Sequence, residues 1–124
     1  IIFKWKNNIR HLNKGKKLHR KTDQRKALVK ILTYNLVMKE RITTTKAKAS
    51  MVKPYLDRLI TRAKKQDVNA LRYVLSKVPE KAANKIYYDL AKRYVDRPGG
   101  YTRVLKIEKP RVKDSAKMVI LELV

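Results

Sequence analysis

The sequence predicts an α+β fold of about four helices packed on a small mixed three-stranded sheet, preceded by an extended basic arm. Three observations support it. Apolar residues recur at helical spacing between residues 22 and 94, strands of alternating polarity follow Pro98-Gly99-Gly100, and Lys and Arg dominate residues 1–30. A chain of 124 residues suits one domain with a modest core. We therefore expect residues 1–21 to form the arm and residues 22–124 to form a single globular α+β domain.

The first helix is predicted to begin at Thr22 and to end near Met38. A Thr at this position can cap the helix, and Asp23 in the first turn suits the positive end of the helix dipole. After a gap of two residues, the short run Arg41–Thr45 is rich in β-branched side chains, which favour strands. We expect a brief strand here, ending in a Thr cap for the second helix.

The second and fourth helices show the clearest periodicity. One face of the second helix carries Val52, Tyr55, Leu56, Leu59, Ile60 and Ala63. Pro54 lies inside this pattern, so we expect a kink or a restart near Lys53. One face of the fourth helix carries Ala83, Ile86, Tyr87, Leu90, Ala91 and Tyr94. At this spacing the tyrosines are interpreted as packing residues rather than as a platform for stacking bases.

Between these two helices, Asp67 is expected to cap a short third helix. Its inward residues are predicted to be Val68, Leu71, Val74 and Leu75. Pro79 suits the first position of the fourth helix, because the backbone N–H that a proline lacks would have no hydrogen-bond partner at that position.

Two strands are expected after the helices. Pro98-Gly99-Gly100 is interpreted as the helix stop, with positive φ angles available to the glycines. Residues 101–107 and 118–124 alternate in polarity and are predicted strands, joined by the basic loop 108–117. Because two strands alone are marginally stable, the run Arg41–Thr44 would complete the sheet.

The charge of the chain is its most extreme property. It contains 33 Lys and Arg against 10 Asp and Glu, a formal net charge of +23. A compact domain with this charge repels itself unless an anionic partner neutralises it. The alternative is that the charged side chains only keep the surface solvated, but solubility alone does not require so high a density of Lys and Arg. We infer a polyanionic partner, with RNA as the first candidate, and expect the arm to be disordered alone and ordered on nucleic acid.

Several classes of site are excluded or disfavoured. The chain has no Cys, which excludes disulfides, zinc knuckles and thiol nucleophiles and suggests a reducing intracellular compartment. No apolar run approaches eighteen residues. His11 and His19 both lie in the arm without carboxylate partners, and the Gly99-Gly100 pair lacks the spacing of a phosphate-binding loop. No acid–base pair is evident, so we expect no catalytic residues, no metal and no cofactor.

Three basic segments are the candidate RNA contacts: the arm with the start of the first helix, the turn at Pro98-Gly99-Gly100 (called the glycine turn) with its flanking residues, and the loop between the last strands. Gly15 would let the arm approach a sugar–phosphate backbone closely. For Arg103, an ion pair with Glu122 is an equally weighted alternative. The candidate residues are Arg10, His11, Lys14, Gly15, Lys16, Lys17, His19, Arg20, Lys21, Arg25, Lys26, Arg97, Gly99, Gly100, Tyr101, Arg103, Lys109, Arg111 and Lys113.

The order of these motifs resembles a known family. The chain is similar to the bacterial-type large-subunit ribosomal protein L-seventeen (L17) family over residues 10–124. The similarity rests on the arm at 10–20 with Arg25-Lys26-Ala27, the runs 41–49 and 59–65, the Asp96-Arg97-Pro98-Gly99-Gly100-Tyr101-Thr102-Arg103 segment, and 114–118 with the closing Glu122-Leu123-Val124. The family begins with Met where this chain has Ile9. Residues 1–9 are therefore interpreted as an upstream extension, from readthrough, a non-AUG start or a remnant, and no function is assigned to them.

The resemblance implies a structural role rather than an enzymatic one. Members of this family combine helices with a small sheet and bind large-subunit ribosomal RNA near the peptide exit tunnel, beside ribosomal proteins of the L-twenty-two and L-thirty-two types. The chain would then act in a bacterial cytoplasmic ribosome, or alternatively in a mitochondrial or plastid ribosome. From composition alone, a DNA-compacting or regulatory protein remains an alternative, and a membrane-active basic domain is a second one.

Overall fold

The structure, a computed structural model, describes residues 15–124. The expectations for residues 1–9 and for Arg10, His11 and Lys14 lie outside the described residues. The elements are α1 (Thr22–Lys39), β1 (Arg41–Thr45), α2 (Lys46–Ala63), α3 (Val68–Lys77), α4 (Glu80–Lys85), a π-helical turn (Ile86–Leu90), α5 (Ala91–Arg93), β2 (Thr102–Lys106) and β3 (Met118–Leu123). The segments α4, π-helical turn and α5 follow one another directly and are called the fourth helix. The predicted α+β class is confirmed.

The sheet is antiparallel throughout, so the expectation of a mixed sheet is wrong. The strand order is β1-β3-β2, with Thr44 opposite Val119 and Leu105 opposite Ile120. The two edge strands both run opposite to β3. Because β3 lies between them, they never pair with each other, and no parallel ladder forms.

One face of the sheet is covered and the other faces solvent. Thr44, Val119 and Leu121 point into the core and are buried. On the opposite face, Arg41, Thr43, Arg103 and Leu105 of the two edge strands are exposed. We call this second surface the outer sheet face.

The N-cap of the first helix lies one residue earlier than predicted, and the helix begins at Thr22. Lys21, not Thr22, is the N-cap, because the carbonyl of Lys21 accepts the first helical hydrogen bond, from the backbone N–H of Arg25. Asp23 lies in the first turn as expected. The buried face is Val29, Thr33, Leu36 and Val37. Ile31 and Met38, which belong to the same apolar run, are exposed because they lie on another face of the helix.

The second helix is continuous across Pro54, so the predicted restart near Lys53 does not occur. It begins at Lys46, where the side chain of Thr45 accepts a hydrogen bond from the backbone N–H of Lys48, as the Thr cap predicted. Of the predicted inward face, Val52, Leu56, Leu59, Ile60 and Ala63 are buried, and Tyr55 is half-buried.

The third helix matches its predicted start and part of its predicted face, since Val74 is buried and Leu71 is partly buried against the core. Asp67 caps it, with 2.5 Å between the Asp67 Oδ1 and the backbone nitrogen of Ala70. Val68 and Leu75 are exposed, whereas Ala70 and Val74 are buried. The small side chain of Ala70 therefore takes the inward place that the larger apolar residues were expected to fill.

The fourth helix buries all six residues predicted to face inward, which confirms Tyr87 and Tyr94 as packing residues. Pro79 is its N-cap rather than its first helical residue. The helix ends at Arg93, so the glycine turn is not its stop, and a separate turn bonds the N–H of Arg97 to the carbonyl of Tyr94. Gly100 has the expected positive φ of 61°.

Glu40 joins the first helix to the fourth. Its left-handed backbone, φ 61°, ends α1. Its carboxylate receives both terminal nitrogens of Arg93, at 3.0 and 3.1 Å, and the Nζ of Lys85 at 2.9 Å. The hydrogen bonds from Arg93, followed by that from Lys85, lower the pKa of Glu40 to about 2.

Replacing this carboxylate, Glu40→Gln, should destabilise the protein in a pH-dependent way. Because the pKa is lower in the folded state, the charged carboxylate stabilises the fold above its unfolded value of 4.5, and this contribution is lost as the pH falls toward about 2. Since Glu40 is partly exposed, we expect a loss of only about 1 kcal/mol at pH 7. Urea unfolding at pH 7 and pH 3 measures it. Glu108→Gln, a carboxylate on the exposed loop, is the control; a pH-independent difference for Glu40→Gln would contradict the prediction.

Candidate nucleic-acid interface

Ion pairs within residues 15–124 involve only a minority of the cations. Five carboxylates lie within 4.0 Å of a basic side chain: Glu40, Asp57, Asp89, Asp114 and Glu122. Their partners are Arg41, Lys53, Lys85, Arg93, Arg103 and Arg111. Every other Lys and Arg in the described range lacks such a partner, which leaves most of the positive charge available for an external anion.

Five of the unpaired cations within residues 15–124 line a cleft between the first three helices. The cleft has a volume of about 500 Å³ and no carboxylate in its lining. Its floor includes Val29, Met51 and Tyr55. We call it the basic cleft; its cations are Arg25, Lys26, Lys30, Arg58 and Lys77.

Tyrosines hold the helices that form the cleft. The Tyr55 hydroxyl on α2 donates to the carbonyl of Lys77 at the end of α3, at 2.9 Å. Burial, the largest effect, raises the pKa of Tyr55, so this donor stays protonated at neutral pH. The ring of Tyr73 lies 5.6 Å from the guanidinium carbon of Arg62 and 5.5 Å from the Nζ of Lys77. These cation–π contacts hold two positive charges against one ring, and one of them, Lys77, lines the cleft.

A tight basic turn precedes α1. The N–H of Arg20 bonds to the carbonyl of Lys17 at 3.1 Å, and the residues between them, Leu18 and His19, have φ angles of 53° and 52°. Two positive φ angles in a row are typical of a type I′ turn and are uncommon without glycine. Such unfavourable backbone is concentrated at binding sites. We call residues 17–21 the basic turn.

The basic turn and the basic cleft lie along the same side of α2. The turn residues form a hollow with Ala47, and Lys16 hydrogen bonds to the hydroxyl of Ser50. The cleft uses Met51, Tyr55 and Arg58. Positions 47, 51, 55 and 58 share one face of a helix. The structure thus brings the predicted contacts Lys16, Lys17, His19, Arg20 and Lys21 beside Arg25 and Lys26. Apart from its own neighbours in the sequence, Gly15 has no atom of residues 15–124 within 4 Å of the place where a Cβ would stand.

The loop between β2 and β3 meets the same end of α2. The backbone N–H of Lys46 donates to the carbonyl of Lys117 at 2.9 Å, which ties the end of the loop to the start of the helix. Lys109, Arg111 and Lys113 are exposed. Arg111 is also bound to Asp114, and this hydrogen bond, with one from the backbone of Ala116, lowers the pKa of Asp114 to about 2.

The glycine turn lies at the other end of α2. The Nζ of Lys64, which follows α2, donates to the carbonyl of Arg97 at 2.6 Å. The glycine turn and the basic turn thus lie at opposite ends of α2, an 18-residue helix about 27 Å long. Gly99 and Gly100 carbonyls accept from Arg97 Nε, and the ring of Tyr101 is buried. The predicted contacts Arg97, Gly99, Gly100 and Tyr101 therefore form a second region, whereas Arg103 lies on the outer sheet face opposite Glu122.

Sequence reasoning missed two cleft residues, Arg58 and Lys77, whereas Lys30 belongs to the basic stretch 1–30 that the sequence singled out. Arg58 lies on a polar face of α2 and Lys77 on a polar face of α3. The sequence pattern does not specify that these faces pack beside α1, so it could not place the two residues in one cleft.

The arrangement suits charge neutralisation rather than bond chemistry. Within residues 15–124, no group of three His, Cys, Asp or Glu side chains is placed to hold a metal ion. Among the described helices, none is long and apolar enough to cross a membrane. The clustered side chains are Lys and Arg, which bind phosphate through charge and hydrogen bonds.

Comparisons with known proteins agree on one family. The sequence model of the family described as Ribosomal protein L17 matches residues 28–124. The "Large ribosomal subunit protein bL17" of Exiguobacterium sp. is 44% identical over 114 residues, covering 87% of this chain and 97% of that protein. The proteins of the same name from Thermodesulfovibrio yellowstonii and Thermus thermophilus are 44% and 42% identical over 117 residues. Each alignment covers 94% of this chain, with 87% and 99% of the respective relative.

Proposed function

Because the chain belongs to the ribosomal protein L17 family, we propose that it binds large-subunit ribosomal RNA and stabilises the RNA fold near the peptide exit tunnel. The family is a structural, non-enzymatic class of ribosomal proteins. The observation that supports RNA binding most directly is the basic cleft, which gathers five cations without a carboxylate beside the basic turn.

The proposed mechanism is neutralisation of backbone phosphates. Each phosphate contact releases counterions, so affinity falls with salt by a slope of roughly 0.7–0.9 per contact. Recognition would rest on the shape of the RNA and on its phosphates and 2′-hydroxyls more than on base sequence. The residues proposed for this role are those of the arm, the basic turn, the basic cleft, the glycine turn and the loop 108–117.

The proposed setting is the ribosome of a bacterial cytoplasm, with ribosomal proteins of the L-twenty-two and L-thirty-two types as neighbours. The identity of 42–44% to proteins from three bacteria supports this setting.

Deleting residues 1–21 should leave a folded domain that no longer joins the large subunit stably. The deletion removes the basic turn but leaves α1, which begins at Thr22, and the core of the domain. A sucrose gradient, with the protein detected in the large-subunit fractions at low and high salt, measures incorporation. The deletion of residues 1–9 alone is the control and should incorporate like the full chain.

Two outcomes would contradict the proposal. Normal occupancy of the 1–21 deletion at high salt would show that the arm and basic turn are dispensable. Migration of the full chain with nucleoid DNA instead of the large subunit would favour the DNA-compacting alternative.

A further inference from the structure

Two arginines on the outer sheet face share a single carboxylate. Arg41 on β1 and Arg103 on β2 are both direct cross-strand neighbours of Glu122 on β3. The Nε of Arg41 lies 3.4 Å from one carboxylate oxygen, and the Nε of Arg103 lies 2.5 Å from the other. The arginine side chains are 60% and 59% exposed, whereas that of Glu122 is 11% exposed. The acid is therefore covered by the two cations that it holds.

The geometry leaves most of the arginine donors unused. A guanidinium has five N–H donors, one at Nε and four at the terminal nitrogens. Both ion pairs are made through Nε. Among residues 15–124, no acceptor is bound to the terminal nitrogens of either arginine. Each guanidinium thus keeps its outer N–H groups for a partner beyond the chain.

The surroundings do not cancel the charge of this pair. Arg41, Glu122 and Arg103 form one row across the three strands, and two cations with one carboxylate give this row a net charge of +1. The next row of the same face consists of Thr43, Ile120 and Leu105, which carry no charge.

Glu40 also holds two cations, but the side chains of Lys85 and Arg93 are only 24% and 37% exposed. Arg41 and Arg103 are both far more exposed and keep their outer donors free, which points to a ligand.

We propose that Arg41 and Arg103 form an anion site for a phosphate of the RNA backbone, with Glu122 as the residue that positions both guanidiniums. The proposal rests on the proposed RNA-binding function and assigns it a further surface. The basic cleft lies among the helices, whereas this pair lies on the sheet face turned away from them. RNA would then contact the domain on both sides. For Arg103, the ion pair and the RNA contact become parts of one arrangement rather than alternatives.

Binding to protein-free RNA from bacterial large subunits, measured by filter binding across a salt series, tests the proposal. Arg41→Gln and Arg103→Gln should each reduce the salt slope by about 0.7–0.9. The matched control is Arg72→Gln, which removes one exposed, unpaired arginine from α3 within the described range and should leave the slope unchanged.

Glu122→Gln separates positioning from simple charge. The substitution is almost isosteric and raises the net charge by one, so charge alone would tighten RNA binding. If the carboxylate positions the guanidiniums, affinity should fall severalfold instead. Because Glu122 is nearly buried, thermal unfolding is measured in parallel. A second variant, Arg41→Lys with Arg103→Lys, keeps the charge but removes the planar donors and should also weaken binding.

The outcomes are distinct. Tighter binding by Glu122→Gln, or Arg41→Gln and Arg103→Gln behaving like Arg72→Gln, would overturn the anion site while leaving the proposed function intact. Failure of the unaltered protein to bind the RNA would overturn both.

Discussion

A variant with Arg25, Lys26, Arg58 and Lys77 all replaced by glutamine is expected to lose roughly two orders of magnitude in affinity for large-subunit ribosomal RNA near 0.15 M salt. All four residues line the basic cleft, and within residues 15–124 none of them belongs to an ion pair. If each neutralises one phosphate, their removal should also reduce the salt slope by roughly 3. Filter binding across a salt series measures both quantities.

The control for this variant must lose the same charge elsewhere. Lys39, Lys65, Arg72 and Lys92 are exposed and lie outside the cleft, and their joint replacement by glutamine removes four positive charges. Equal losses of affinity in the two variants would show that net charge, not the cleft, governs binding. Circular dichroism of both proteins verifies that the helices are retained.

Leu56→Ala is expected to destabilise the domain by about 2–5 kcal/mol. Leu56 lies near the middle of α2, is fully buried and belongs to the main apolar cluster. Its truncation removes apolar contacts and leaves a cavity that rigid neighbours cannot close. Since domains of this kind are stable by only about 5–15 kcal/mol, the loss is a large share of the total.

Urea unfolding at constant salt measures this loss. Val68→Ala is the matched control, since Val68 is 64% exposed on α3 and its truncation should change stability by no more than about 0.5 kcal/mol. Similar losses in both variants would contradict the assignment of the core to the inward face of α2. Constant salt matters because the self-repulsion of a +23 chain is itself screened by ions.

Periodicity predicted α2 and the fourth helix well, for a physical reason. Both helices bury one continuous stripe, and a stripe repeats in the sequence at the helical period. It predicted α1 and α3 less well, since Ile31, Val68 and Leu75 are apolar but exposed. An apolar residue has no obligation to be buried, so a helix with apolar residues on several faces does not reveal which face packs.

Other features depend on contacts that a linear pattern does not contain. The antiparallel order follows from β3 entering between two strands that come earlier in the chain. The π-helical turn at Ile86–Leu90 was not predicted. The six inward positions predicted for the fourth helix have the spacing of an ordinary α-helix and give no sign of it.

The candidate site likewise combines residues that the sequence predicted with residues that only the packing of the fold brings together. Arg25 and Lys26 were predicted from the density of charge, and the structure places them in the basic cleft. Arg58 and Lys77 join them only because α2 and α3 pack beside α1. The ion pair between Arg103 and Glu122 was one of two open alternatives, and the structure shows it. The part played by Arg41 was not predicted, since it required the register of β1 against β3.

The strand order has a consequence for how the chain folds. The central strand β3 is the last element in sequence, and both edge strands depend on it for every backbone hydrogen bond of the sheet. During vectorial synthesis the helices can form local contacts early, but the sheet can assemble only after residues 118–123 have emerged. Pairing of β1 with β3 closes most of the domain into one loop, and such non-local contacts form slowly. Until that moment, a strongly cationic chain with two unpaired strands is exposed, and a polyanion able to bind it early would also protect it from aggregation.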